Sequence, residues 1–244
     1  MTAITGKTVL VTGANRGIGR ALVEEALLRG AHRVYAGTRG PWTHSDERVT
    51  PLAFDLTDRA AIRAAADTVK SLDILVNNAG IALYDDLTDR SAIEAQLAVN
   101  LFGPYEVAQA FLPQLSAAGG VIVNNLSLNA LAPLPLIPAY SISKAAAFSM
   151  TQSLRSLLSA RNIRVHAVLT GPVDTDMTRG FEIPKTPAQA VAQAIFSGVE
   201  RDEEDIFPDP VAETVGDGWR GGTAKALEGQ FAALAAGVQA RPAA

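Results

Sequence analysis

Thr8-Val9-Leu10-Val11-Thr12-Gly13-Ala14-Asn15-Arg16-Gly17-Ile18-Gly19 is a short apolar, β-branched run that passes directly into three glycines spaced G-x-x-x-G-x-G. The run reads as a buried strand, and Ile18, Ala21, Leu22 and Ala26 then recur on one face of a helix. Gly30 stops that helix and Arg33 to Thr38 supplies a second strand at once. Outward from this unit the alternation continues. Strands are expected at Leu52 to Phe54, Ile74 to Asn77, Val121 to Asn124 and Ile163 to Leu169, and helices at Asp58 to Lys70, Thr88 to Leu115 and Tyr140 to Ala160. Near-continuous apolar strands separated by helices predict an α/β fold, a Rossmann-type doubly wound parallel sheet with helices on both faces. Ligands then belong at the carboxyl ends of the strands.

The chain of 244 residues shows no linker and no repeat beyond this alternation, so one domain over residues 1–244 is expected. Thr186-Pro187-Ala188-Gln189 reads as a cap, a first-turn proline and a capping-box glutamine opening a helix from Pro187 to about Gly198. Trp219 to Gly222 reads as a loop, and residues 224–244 as a carboxyl-terminal helix fraying into a tail. With 21 basic and 25 acidic residues the net charge is -4, which argues against nucleic acid and anionic membranes as partners. No apolar run reaches the roughly 18 residues of a membrane span and Met1 to Lys7 is no signal peptide, so a cytoplasmic location is the default expectation. Zero cysteines remove disulfides and thiolate sites, and His32, His44 and His166 are too scattered for a metal centre.

Glycines where the first strand meets the first helix permit close approach of backbone to a pyrophosphate at the helix amino terminus. No Gly-Lys-Ser/Thr follows, so this is not a P-loop. At the end of the second strand, where an acid would grip the ribose of NAD, stand Thr38 and Arg39; with Arg16 they suit the 2′-phosphate of NADP(H). Asp55 serves an adenine contact or a helix cap equally well.

Tyr140-Ser141-Ile142-Ser143-Lys144 puts a tyrosine and a lysine on one helix face. An ammonium beside the phenol is expected to lower its pKa and make it a usable acid or base. Ser127, thirteen positions upstream, follows another strand, and Asn100 is an amide set oddly against Leu101-Phe102. Asp85, Asp86 and Asp89 read as a solvated loop. Leu128 to Pro138 has no ionisable residue and predicts an apolar substrate wall.

Thr12 to Gly19, Asn77-Asn78-Ala79-Gly80, Asn100, Ser127, Tyr140 and Lys144 together resemble the short-chain dehydrogenase/reductase family in order and spacing, over about residues 5–178. The resemblance implies that Tyr140 is the catalytic acid/base, that Ser127 orients the substrate carbonyl, that Lys144 also holds the nicotinamide ribose and that Asn100 completes a proton relay. It implies a cofactor site of Gly13, Asn15, Arg16, Gly17, Ile18, Gly19, Thr38, Arg39, Asp55, Leu56, Asn78, Ala79, Gly80, Tyr140, Lys144, Val173 and Thr175. Thr170 stands where the family usually has proline, which suggests a less rigid nicotinamide loop. Asp205 to Ala212 lacks the family's glycine-flanked ending, which leaves a homo-oligomer, dimer or tetramer, open. Met177 to Thr186 is short for a lid and suggests an open pocket. The expected function is an NADPH-dependent carbonyl reductase, reversible as a secondary-alcohol dehydrogenase, acting on a small apolar substrate. The alternatives are a dinucleotide-sensing protein without turnover, or an isomerase or dehydratase on the same scaffold.

Overall fold

A computed structural model describes residues 3–239 of the chain. Strands β1 (Thr8–Thr12), β2 (Arg33–Thr38), β3 (Val49–Ala53), β4 (Ile74–Asn77), β5 (Val121–Asn125) and β6 (Arg164–Val168) pair in parallel, and the two-residue β9 (Asp205–Ile206) closes the edge in the order β3-β2-β1-β4-β5-β6-β9. A separate two-stranded ladder joins β7 (Val173–Asp174) to β8 (Thr186–Pro187). The helices are α1 (Gly17–Leu28), α2 (Arg59–Thr68), α3 (Arg90–Leu97), α4 (Gly103–Ala118), α5 (Pro138–Ser159), α6 (Ala188–Glu200), α7 (Pro210–Arg220) and α8 (Thr223–Gln239).

Because successive strand side chains point to opposite faces, each central strand feeds two cores. Val9, Val11, Ile74, Val76, Val121 and Val123 pack with α1 and α6, whereas Leu10, Leu75 and Ile122 pack with α2, α4 and α5. The expected doubly wound sheet is the one observed. None of the helices among the described residues is long and apolar enough to cross a membrane.

Four local expectations are corrected. The long helix expected from Thr88 to Leu115 is broken by a wide π turn, Ala98–Phe102, between α3 and α4. Pro104 lacks the N–H that would bond to the Asn100 carbonyl in a regular helix, so the backbone widens there. The capping box at Thr186 does not form. Thr186 and Pro187 are spent on the β7 ladder, and Gln189 donates instead to Glu25 Oε2 at 2.9 Å. The third strand begins earlier than Leu52, at Val49. Trp219 and Arg220 lie in α7 rather than in a loop. Gly216 and Gly218 hide that helix from a propensity reading, yet Gly216 is needed because a Cβ there would lie 3.1 Å from the Phe207 ring. The expected carboxyl-terminal helix is present as α8, and the fraying expected of it falls on residues 240–244, outside the described residues.

Asp209 joins α7 to the sheet. Its Oδ1 caps the helix by accepting from Ala212 N at 2.9 Å, and its Oδ2 accepts from Gly171 N at 2.7 Å in the loop after β6. Asp209→Ala removes a cap and strands a buried amide, together about 2–4 kcal/mol. Calorimetry is expected to show Tm lowered by about 5–10 °C, at roughly 2–4 °C per kcal/mol for a domain of this size; an unchanged Tm would mean that the loop is held by other contacts.

Candidate active site

Every strand from β1 to β6 runs toward the same edge of the sheet, so the turns after β1, β2, β4, β5 and β6 meet there. The first of them is built around missing side chains. Gly13 has φ +67° and a Cβ on it would sit 2.9 Å from Ala79 Cα; a Cβ on Gly19 would sit 2.1 Å from the Gly13 carbonyl oxygen. Gly17, at φ +52°, opens α1 without a side-chain cap, so its turn keeps free amides for an anion. Asn78 fixes this turn to β4, donating from Nδ2 to Thr12 O at 2.9 Å while its own N–H and that of Ala79 donate to Thr12 Oγ1. Asn15 is exposed beside this turn and Ile18 packs into the core beneath it.

At the end of β2, Thr38 is buried with its hydroxyl donated to Gly40 O at 2.8 Å, and Arg39 stands exposed with no hydrogen-bond or ion-pair partner among the described residues. Arg16 is paired with Asp176 Oδ2 at 3.3 Å. Asp55 turns onto Thr57, whose N–H and hydroxyl hold its carboxyl below the usual range; the cap of α2 is Asp58. Leu56 packs under Gly103 at the start of α4. Val173 is buried in β7, and Thr175 Cγ2 would touch any side chain added at Gly17. Gly17, Thr175 and Asp176 border a cleft of about 380 Å³ that Arg179 and Lys185 also line.

Deeper in, Tyr140, Lys144, Ser127 and Asn100 are all buried at one end of α5. The π turn presents Asn100 inward, where Oδ1 accepts from Ile81 N and Nδ2 donates to Ile81 O and to Ser143 Oγ, all at 2.9 Å. Its amide is fully engaged there and shares no hydrogen bond with Lys144. Gly80 is backed by these side chains: a Cβ there would lie 3.1 Å from Asn100 Oδ1 and 3.7 Å from Lys144 Nζ. Lys144 Nζ donates to the Asn125 carbonyl at 2.9 Å and stands 5.6 Å from the Tyr140 ring centre. Ser127 Oγ accepts from Asn129 N at 3.1 Å and lies beside the phenol.

The electrostatics differ from the sequence expectation. Burial pushes the Tyr140 phenol up to about 12, only partly offset by a hydrogen bond with Ser127, and burial pushes the Lys144 ammonium down to about 8. Desolvation outweighs the attraction expected between ammonium and phenolate. At neutral pH Tyr140 is therefore a protonated phenol, the proton-donating form.

Three more residues shape the site without having been singled out for it. Asn125, the last residue of β5, bridges Lys144 and Asn78 through its carbonyl and its side-chain amide; an amide ending a buried strand was the available signal. Gln96 is fully buried and its Oε1 accepts from Leu83 N at 3.3 Å. Asp85, read as part of a solvated loop, instead sits on the amino terminus of α5, accepting from Ala139 N at 3.2 Å where Ile137 provides no cap. Asp86 does form a local turn with Thr88, and Asp89 caps α3. Thr170 does not loosen its loop, because its hydroxyl donates to Leu126 O at 3.1 Å and Asp209 holds the next residue.

The comparisons decide the family. Residues 7–185 match the model of the short chain dehydrogenase family. The chain belongs to that family. The crystal structure of a short chain dehydrogenase from Burkholderia cenocepacia in complex with NADP superposes with a TM-score of 0.86 at 35% identity, covering 94% of this chain and 98% of that one. The NADPH-bound carbonyl reductase from chicken fatty liver is 28% identical, with a TM-score of 0.69 over 76% of this chain and 84% of that one. A cyclic-di-GMP-binding biofilm dispersal mediator protein of Escherichia coli is 31% identical over 72% of this chain and 77% of its own.

Lys144 allows a thermodynamic check on its burial. Its folded pKa lies below the ordinary value of 10.5, so between about pH 8 and 10.5 the unfolded chain binds the extra proton and stability rises with pH. Lys144→Met removes the cost of a buried ammonium but strands the Asn125 carbonyl. It is expected to abolish activity while stabilising the protein by about 1–2 kcal/mol at pH 7, an advantage that shrinks as pH approaches 10.5. Urea unfolding at both pH values measures it; equal effects at the two would contradict the assigned burial.

Proposed function

We propose that the chain is an NADPH-dependent carbonyl reductase, reversible as a secondary-alcohol dehydrogenase, for small uncharged apolar ketones or aldehydes. The observation that carries this reading is the buried Tyr140 phenol beside Ser127, one helical turn from Lys144. A bound nicotinamide cofactor supplies the hydride equivalent that the side chains lack.

The chain's own residues do the rest. The glycine turn and the amino terminus of α1 receive the pyrophosphate, and Arg39, exposed at the end of β2, is free to pair with a 2′-phosphate. Arg16 reaches the same phosphate by giving up Asp176. Ser127 donates its hydroxyl hydrogen to the substrate carbonyl and so aims it at Tyr140. Tyr140 then delivers its proton to that oxygen as the alkoxide forms. Lys144, buried and held by Asn125, fixes the ribose side of the site and keeps positive potential near the phenol as its proton leaves.

An apolar substrate is favoured because the wall between Ser127 and Tyr140 carries no ionisable side chain. Arg179 is already paired with Asp176. Lys185 lines the cleft at Gly17 with the cofactor-binding turn. A carboxylate in the pocket would thus lose hydration without gaining a partner.

A second reading, a dinucleotide-binding protein without turnover, draws support from the Escherichia coli relative. The same assays separate the two, since it requires cofactor binding with no NADPH oxidation across a carbonyl panel.

With an aryl methyl ketone, Tyr140→Phe is expected to lower kcat at least about 10²-fold with NADPH affinity retained. Retention of a tenth of the wild-type rate would remove Tyr140 from its role. Arg39→Ala is expected to raise KM for NADPH by at least about tenfold and KM for NADH very little; equal changes would end the assignment of phosphate recognition.

A further inference from the structure

Tyr84 lies in the loop after β4 and Phe181 in the segment after β6, yet their rings stack at 6.2 Å with 22° between planes. In the sheet β5 runs between β4 and β6, and Ser127 follows the carboxyl end of β5. A contact between loops rising from β4 and β6 therefore spans the site of Ser127 and Tyr140. The stacked pair forms a roof of two rings over that end of β5.

The two sides of the roof are held differently. Tyr84 sits between fixed points: Asn100 holds Ile81, Gln96 holds Leu83, and Asp85 is seated on the first turn of α5, next to Tyr140. Phe181 is carried by a short span between Thr178, whose hydroxyl donates to Val173 O at 2.6 Å, and Thr186 in the β8 ladder. Gly180, directly before it, has φ +89° and empty space where a Cβ would be. Tyr84 thus stands on a segment tied to the π turn, α3 and α5, whereas Phe181 stands on a span held by its own N–H to Thr178 O at 3.2 Å and by the β8 ladder. Tyr84 remains 71% exposed, so the stack holds the roof only weakly and a ligand can displace it.

We propose that Tyr84 and Phe181 are specificity-determining residues, an aromatic pair that parts to admit the carbonyl substrate and then grips its apolar, above all aromatic, substituent. This rests on the reading of the site as a carbonyl reductase and adds the substrate class. Neither ring carries charge, and a flat aryl group takes the place of one ring against the other. A small aliphatic ketone reaches Ser127 and Tyr140 without filling the gap.

The test compares an aryl methyl ketone with acetone in the wild type and in Tyr84→Ala, Phe181→Ala, the double variant and Phe181→Leu, with NADPH binding followed by its fluorescence. Each alanine variant is expected to lower kcat/KM for the aryl ketone by about tenfold, mainly through KM, and to leave acetone within about twofold. The double variant should lose little more than either single, and Phe181→Leu should recover part of the loss. NADPH affinity and Tm should be unchanged. Equal effects on both ketones, or none on either, would overturn the proposal while leaving the reductase reading intact. Absence of NADPH oxidation by the wild type with any carbonyl would overturn the reading and the proposal with it.

Discussion

Gly19 packs so tightly under the Gly13 carbonyl that no other residue fits, and this contact sets how α1 leaves β1. Everything at the carboxyl edge of the sheet is placed relative to that turn. With the helix this close, its first amides point into the crevice between β1 and β4, where the strand order reverses. A side chain at any of the three glycines would push the helix away, or force a left-handed backbone on a residue that resists it.

From the same turn a ladder of amides crosses the sheet to α5. Thr12 receives Asn78, Asn78 receives Asn125, and the Asn125 carbonyl receives Lys144. Each link is a buried or half-buried polar group that would be costly to leave unpaired, so the ladder fixes α5 against the cofactor turn. Lys144 is where the strain of this arrangement collects. Its ammonium is buried with one carbonyl for company, and that is why its pKa falls while the neighbouring phenol keeps its proton. Stability is lost at Lys144 to keep an ammonium buried beside the Tyr140 ring.

Around this core the charges are sorted by place. Asp176 engages both Arg16 and Arg179 at the cofactor cleft, and Asp85 is spent on the amino terminus of α5. The segment between Ser127 and Tyr140 carries no ionisable side chain. The anion-binding turn and the Ser127–Tyr140 pair thus share one edge of the sheet, with Arg16 and Arg179 both held by Asp176.

The amino-acid sequence by itself determined the parallel sheet, the glycine turn and the identities of Asn100, Ser127, Tyr140 and Lys144, because strand periodicity and motif spacing are local properties that survive in one dimension. Helix α7 escaped that reading, since Gly216 and Gly218 spoil its propensity and only contact with Phe207 explains Gly216. The break at Asn100 was missed although Pro104 announces it, because a π turn imitates a continuous helix in its periodicity. The direction of the Tyr140 pKa shift reversed expectation: adjacency to a lysine is visible in the sequence, whereas the depth to which both groups are buried is not. Asp85 as a cap for α5, and Tyr84 against Phe181 across the pocket, join residues 54 and 97 positions apart. Only the tertiary structure decided them, because such contacts depend on which strands lie side by side, and the strand order is written in no local stretch of the chain.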